Sequence, residues 1–300
     1  MQRLPVNLLF IWWSNRYTYA SIYYLENTMA YQCPLCQHPL TLNQRTYSCV
    51  NNHQFDLAKE GYVNLMPAHH KRSKDPGDNK EMMQARRRFL DGGHYNPMRE
   101  KVAELCQRFL INTDHQLLDI GCGEGYYTTY IADCLKQQNP QANTFGLDIS
   151  KVAIRYAAKR YSNCDFTVAS SHRLPFADET LDGILRIYAP CKADELNRCI
   201  KSGGVVITVT PAARHLYEFK QGIYQDVRLH EEQPEVIENF TLEHEEKVNY
   251  LMTLSGDDAF DLLQMTPFAW RASEAYKAEL KNSASVQCEA DFMIRVYRKA

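Results

Sequence analysis

The stretch LLDIGCGEGYY, residues 117–127, decides the fold of this chain. An apolar run ends in three glycines at alternate positions, and aromatic residues that begin a helical pattern follow at once. Glycines in a strand-to-helix turn let the backbone take conformations closed to other residues, and they let a ligand approach it closely. The spacing G-x-G-x-G differs from the G-x-G-x-x-G of dinucleotide-binding folds, and alone it also fits an ordinary turn.

The strands that follow this loop indicate that it is a ligand-binding loop. A second strand ends in GLDIS, residues 146–150, which puts Asp148 at the tip of the neighbouring strand, where its carboxylate can accept both hydroxyls of a ribose. We predict strands over 116–120, 143–148, 164–168, 181–187 and 204–210, and helices over about 126–137, 151–160 and 192–199. This order predicts a parallel, doubly wound α/β sheet. We expect residues 240–242, a helix near 256–264 and a strand over 291–297 to complete it.

A second motif lies near the N-terminus. Cys33, Cys36, Cys49 and His53 have the spacing C-x2-C-x12-C-x3-H, which is typical of a closed tetrahedral zinc site. Such a site is structural, since it leaves no position open for water. Four free side chains without a metal are the alternative interpretation.

Composition limits the class of protein. The chain has 300 residues, ten cysteines and a formal net charge of −2, so it is long enough for one α/β domain plus a small module, and it is not a polycation. We predict an N-terminal extension over 1–28, a zinc-binding module over 29–62, a basic connector over 63–97 and a larger domain over 98–300. Cysteines without a disulfide framework favour the cytoplasm.

The first residues contain the apolar run LLFIWW, residues 8–13. A signal peptide is one interpretation, but the run is short and no small-residue cleavage site follows it. It is also too short to span a bilayer, and we expect no membrane association. Met29 is the expected natural start, which would make residues 1–28 an extension that is not native.

The glycine loop, GLDIS, residues 169–176 after the third strand and a predicted turn at 201–204 together resemble the Class I S-adenosylmethionine-dependent methyltransferases over residues 98–212. By that resemblance the glycine loop passes under the methionine part of the donor and Asp148 holds the ribose. The family often has an acid near the third strand end, where this chain has Ser170, Ser171 and His172. Ser171 and the backbone are left to contact the adenine amino group.

The whole chain has a more specific resemblance. CPLC at 33–36, FDLAKEGYVNL at 55–65, DPGD at 75–78, RIYAPC at 186–191 and MTPFAW at 265–270, together with the glycine loop, look like the bacterial 23S ribosomal RNA guanine-N1 methyltransferases. The resemblance implies a zinc-containing homodimer that methylates guanine N1 in an RNA hairpin. By this resemblance Tyr95, Gly123, Glu124 and His215 match positions that contact the methyl donor. With the other residues of the glycine loop and the Class I motifs, the predicted donor site consists of Tyr95, Asp119, Gly121, Gly123, Glu124, Gly125, Asp148, Ser171 and His215. Tyr95 as a packing residue and His215 as a solvated helix start remain the alternatives.

The chemistry of guanine N1 methylation indicates one residue that would bind the substrate base. Guanine N1 carries a proton at neutral pH and is used in base pairing, so the base must be unpaired, held by an aromatic ring and deprotonated. Tyr188, at the end of a core strand, is the candidate for stacking on it. His94, His172, His215 and Arg186 are candidate catalytic groups by location only, and no base is assigned. Cys191 as a covalent nucleophile is a further possibility, against an inert buried thiol.

The basic run from residue 69 to residue 88 is expected to read RNA through Lys71, Arg72, Arg86 and Arg87, without affecting the methyl donor. A solvated helix face is the alternative. Two other functions stay open at this point. One is a small-molecule methyltransferase, since LPFAD at 174–178 also occurs in quinone-type and sterol-type enzymes, and the other is a zinc adaptor without activity.

Overall fold

A computed structural model describes residues 31–67, 80–111 and 114–300. The expected N-terminal extension, the turn at 75–78 and the basic residues Lys71 and Arg72 lie outside these ranges. No helix within them is long and apolar enough to cross a membrane.

The described ranges fold into a small antiparallel sheet and a large mixed sheet with helices. The strands are β1 Thr41–Asn43, β2 Thr46–Ser48, β3 Gln54–Asp56, β4 Val63–Asn64, β5 Gln116–Ile120, β6 Asn143–Asp148, β7 Asp165–Val168, β8 Leu181–Ile187, β9 Ile200–Pro211, β10 Phe240–Leu254 and β11 Val286–Lys299. The helices are α1 Lys80–Asp91, α2 Asn96–Phe109, α3 Tyr126–Gln138, α4 Lys151–Arg160, α5 Ala193–Cys199, α6 Tyr217–Gln221, α7 Gly256–Gln264 and α8 Glu274–Asn282, with a 3-10 turn at Ala269–Arg271 between the last two.

The large sheet has the strand order β10-β11-β9-β8-β5-β6-β7-β4. Strands β5 to β9 are parallel, as the sequence predicts, and their order reverses between β5 and β8. In open α/β sheets ligands bind beyond the carboxyl ends of the strands at such a reversal. The glycine loop follows β5 and therefore lies at this place.

The C-terminal strands complete the sheet, as expected. Strand β11 pairs antiparallel with both β9 and β10, and β10 and β11 are much longer than predicted. Strand β10 continues to Leu254. The sequence analysis missed this length because many residues of β10 are charged and lie on an exposed edge, where no apolar run marks a strand. Strand β9 already begins at Ile200, so the predicted turn at 201–204 lies inside a strand that bends at Gly203, with φ of +77°.

The small sheet has the order β1-β2-β3 and packs on the large one. Tyr31 is 3% exposed and lies against Tyr47 of β2 and against Phe145 and Phe176 of the large domain. Strand β4 then pairs with β7 as the last strand of the large sheet, which the sequence did not indicate. The metal-binding motif is therefore attached to the sheet on both its N-terminal and its C-terminal side.

Candidate functional site

The glycine loop after β5 has the conformation that its sequence requires. Gly121, Gly123 and Gly125 have φ values of +72°, +55° and +83°, a region that L side chains rarely adopt. A side chain at Gly125 would meet the ring of Phe166 at 3.0 Å, whereas one at Gly123 would extend into open space. The backbone around Gly123 is thus accessible to a ligand.

Asp148, at the end of β6, is fixed against this loop. The N–H of Gly123 donates to its Oδ2 at 3.0 Å, and the N–H of Ser150 donates to its Oδ1 at 2.8 Å. Ser150 also caps α4 through a bond from the N–H of Ala153. The carboxylate is therefore oriented at the crevice before any ligand binds, as an acceptor for ribose hydroxyls needs to be.

Asp119, in β5, is 2% exposed and accepts a hydrogen bond from the hydroxyl of Thr128 at 2.6 Å. Burial is the main cause that raises the pKa of Asp119 to about 7; the Thr128 bond opposes this shift, and the negative charge of Asp148 adds to it. Asp119 is thus a buried group beneath the loop, and it joins the loop to the first turn of α3.

Glu124 belongs to an ion pair that the sequence analysis did not anticipate. Arg87 of α1 donates two hydrogen bonds to its carboxylate, each 2.6 Å long, and the same guanidinium lies 4.6 Å from the ring centre of Tyr156 on α4. The predicted role of Arg87 in RNA binding, without an effect on donor affinity, stays a prediction beside this ion pair. The charge of Arg87 is already matched by a carboxylate of the glycine loop, which connects α1 with the predicted donor site.

Aromatic side chains from four segments gather beyond the carboxyl ends of β8 and β9 and beside β11. Tyr95 is buried and meets Phe292 edge-on at 5.0 Å, while His215 lies 4.8 Å from the same ring. Tyr188 is 47% exposed, has the unusual φ of +57°, and its hydroxyl lies 3.4 Å from Nε2 of His215. A non-glycine residue held in this region stores strain, which is common at binding sites.

These aromatic residues adjoin the glycine loop. A side chain at Gly121 would come within 2.8 Å of Ala189, the residue after Tyr188. On the other side, Tyr126 of α3 donates to Asn96, the residue after Tyr95, at 2.7 Å. The structure thus brings the predicted donor residues and the predicted stacking residue to one edge of the sheet.

His215 is neutral in this site. Burial, together with the nearby charges of Lys220 and His230, lowers its pKa to about 3. Its Nδ1 accepts the N–H of Asp291 at 3.3 Å, so the neutral ring carries its proton on Nε2, which faces Tyr188. His215 can donate a hydrogen bond there, but its one ring lone pair, on Nδ1, already accepts the N–H of Asp291 and is not directed at Tyr188.

The other candidate catalytic groups from the sequence analysis are paired with carboxylates or exposed. Arg186 is buried and pairs with Glu235, and His94 lies 3.5 Å from Asp258. His172 is exposed. None of these contacts identifies a general base.

The loop that contains Ser171 packs against the segment after Tyr188. The thiol of Cys191 donates to the carbonyl oxygen of Ser171 at 3.3 Å. Burial raises the pKa of Cys191 to about 12, so the thiol stays protonated at neutral pH. A protonated thiol is a poor nucleophile, which favours the inert interpretation of Cys191.

The four predicted metal ligands form a cluster. The ligand atoms of Cys33, Cys36, Cys49 and His53 lie within 4.8 Å of one another. Cys36 Sγ and Cys49 Sγ are 3.6 Å apart, and His53 Nδ1 lies 3.4 Å from Cys33 Sγ. Zinc–sulfur bonds of about 2.3 Å in a tetrahedron separate two sulfurs by about 3.8 Å, so the cluster fits zinc. The backbone N–H of His38 helps to lower the pKa of Cys36 to about 5.

A large cleft of about 2250 Å³ lies between this module and the large sheet. Gln32 and Pro34 line it on one side, and Glu124 and Ser150 lie on the other. Its wall also includes a set of basic side chains, namely Lys80, Lys151, Arg155, Arg173 and Lys192. The wall also includes four carboxylates, those of Glu60, Glu124, Asp178 and Glu195, so the cleft joins the metal module to the glycine loop through a charged surface in which cations outnumber carboxylates.

Two members of the site were missed in the sequence analysis. Phe292, which contacts both Tyr95 and His215, is 77 positions away from the latter in sequence and gives only an alternating strand pattern. The pairing of Arg87 with Glu124 has no sequence signal either, because the two residues belong to different motifs.

Comparisons with known proteins cover both parts of the chain. Residues 31–74 match the zinc-ribbon family described as "RlmA, N-terminal", and residues 111–264 match "Methyltransferase domain". The chain is 31% identical over 252 residues to the 23S rRNA (guanine(748)-N(1))-methyltransferase of Streptomyces fradiae, covering 82% of this chain and 88% of that protein. A Bacillus subtilis (strain 168) protein, provisionally named a 23S rRNA (guanine-N(1)-)-methyltransferase, is 31% identical over 88% of this chain and 96% of its own. The demethylmenaquinone methyltransferase of Thermotoga maritima is 33% identical, but over only 32% of this chain and 39% of that protein.

Proposed function

The chain belongs to the 23S rRNA (guanine-N1)-methyltransferase family, and on that premise we propose that it transfers a methyl group from S-adenosylmethionine to N1 of a guanine in a hairpin of 23S ribosomal RNA. The observation that carries the proposal is the similarity to the Streptomyces fradiae enzyme over 82% of the chain. The similarity to a quinone methyltransferase covers only a third of the chain and supports no second function.

The donor lies at the glycine loop in this proposal. Asp148 holds the ribose through its oriented carboxylate, and Gly123 lets the methionine part approach the backbone. Gly121, Gly125 and Asp119 shape the turn. Ile149, an apolar residue 44% exposed beside Asp148, offers a surface for the adenine ring, and the Ser171 segment offers polar groups for its edge.

Tyr95, Glu124 and His215 complete the donor site, while Tyr188 holds the guanine. The exposed ring of Tyr188 beside the buried Tyr95 and His215 supports this division of roles. The sulfonium supplies the methyl group, so the task of the protein is to hold N1 in line with it. His215, as a neutral donor, can stabilise charge but cannot remove the N1 proton.

Zinc organises the N-terminal module, where Cys33, Cys36, Cys49 and His53 would hold it. With four protein ligands the ion leaves no position for water, so it shapes the module and takes no part in methyl transfer. The cleft between this module and the sheet, in which cations outnumber carboxylates, suits a folded RNA strand. The proposal also includes a cytoplasmic homodimer, for which the family resemblance is the support.

The test is methylation of unmodified 23S rRNA, transcribed in vitro, with radiolabelled donor and nucleoside analysis of the product. We expect N1-methylguanosine, together with loss of donor binding in calorimetry for Gly123→Val and Asp148→Ala. Label in another nucleoside, or none in RNA, would contradict the function. Unchanged donor affinity in both variants would contradict the donor site alone.

A further inference from the structure

Arg271 is an exposed cation close to two aromatic rings. Its guanidinium carbon lies 4.7 Å from the ring centre of Trp270 and 5.6 Å from that of Tyr224. Trp270 is 73% exposed, which is unusual for so large an apolar side chain. Among the residues that the structure describes, no carboxylate forms an ion pair with Arg271. The three side chains form what we call the Arg271 clamp.

The backbone beneath the clamp is held in place. Arg271 ends a 3-10 turn in which its N–H donates to the carbonyl of Phe268 at 3.0 Å. The hydroxyl of Tyr276 donates to the carbonyl of Phe219 at 3.5 Å, which joins the segment after α7 to the segment that contains Tyr224. The backbone that carries Arg271 is therefore held in place, and the two rings limit the positions open to the guanidinium, which lowers the side-chain freedom lost on binding.

Trp270 and Arg271 of the clamp belong to a segment that connects β10 and β11 beyond the same edge of the sheet at which the glycine loop lies. Pro211 at the end of β9 pairs with Phe292, and β10 and β11 continue their pairing from there to Leu254 and Val286. Six further residues in each strand extend about 20 Å beyond β9. The segment 255–285, which includes Trp270 and Arg271, connects the two strands at that far end. Tyr224 follows His215 by nine positions.

We propose that Arg271 binds a backbone phosphate of the RNA strand whose guanine enters the site beside Tyr188. A guanidinium whose faces contact aromatic rings keeps its N–H groups free at its edge, and its planar fork matches two phosphate oxygens. An exposed cation without a carboxylate partner has its full charge available for the anion. The inference rests on the proposed function, and it assigns a role to the MTPFAW motif and the arginine that follows it.

The test compares Arg271→Ala with Arg108→Ala. Arg108 is also exposed and lies 5.0 Å from the ring centre of Phe109, but it is at the end of α2, next to the opposite edge of the sheet. Binding of unmodified 23S rRNA transcript is measured by filter binding between about 50 and 300 mM salt. We expect Arg271→Ala to weaken binding roughly fivefold at the lowest salt and to reduce the salt slope by about one. Arg108→Ala should match the parent protein.

Donor affinity, measured by calorimetry, reports whether Arg271→Ala is folded, and we expect no change. Equal affinity and slope for the two variants would overturn the inference alone. Weaker binding with an unchanged slope would also overturn it, since a lost base contact releases no counterion. Failure of the parent protein to methylate the transcript would overturn the proposed function, and the inference with it.

Discussion

The ion pair between Arg87 and Glu124 predicts that helix α1 affects the affinity of the donor site for S-adenosylmethionine. Arg87→Met removes both hydrogen bonds while keeping an apolar stem near Tyr156, and Glu124→Gln removes the carboxylate charge. The side chains are 36% and 18% exposed. Charge-assisted bidentate pairs are strong when buried, but solvent at Arg87 screens this one, so we expect a coupling energy of about 1 kcal/mol.

The measurement is a double-mutant cycle on the free energy of unfolding in urea, combined with calorimetry of donor binding. Arg87→Met should raise the donor dissociation constant several-fold, because Glu124 follows Gly123 in the loop and loses its anchor. Arg88→Met is the matched control, since Arg88 lies on the same helix and pairs equally closely with Asp261, away from the loop. A coupling energy near zero, or equal donor affinity in the two methionine variants, would refute this reasoning.

Three more predictions follow from single groups. Metal analysis should find about one zinc per chain, and Cys33→Ala with Cys49→Ala should abolish it; retained zinc would contradict the cluster. His215 has a pKa near 3 when folded and 6.5 otherwise, so its contribution to stability is complete above pH 6.5 and lost as the pH falls towards 3. In urea unfolding, the free energy of unfolding of His215→Gln should fall less over that pH range than that of the parent protein, and an equal fall would contradict the low pKa of His215. Cys191→Ser should retain RNA methylation, because a thiol with a pKa near 12 is no nucleophile, and an inactive but folded variant would reopen covalent chemistry.

The local patterns of the sequence determined the α/β order, the glycine loop and the metal ligands. Each is a short-range signal: apolar runs mark buried strands, alternate glycines mark a turn, and paired cysteines mark a tetrahedral site. The positive φ of Gly123 and the cluster of Cys33, Cys36, Cys49 and His53 follow directly from those signals. The pairing of the C-terminal residues with the same sheet was also predictable, because an open sheet needs its outer strands.

Only the tertiary structure decided which distant residues meet. Arg87 appeared to be one cation in a basic run until the packing of α1 placed it on Glu124. Charged residues hid the length of β10, because an exposed edge strand needs no apolar alternation. His215 gave no sign of its neutrality, which depends on burial and on the N–H of Asp291, 76 residues later. Contacts between segments far apart in sequence depend on how the sheet closes, and no local pattern encodes that.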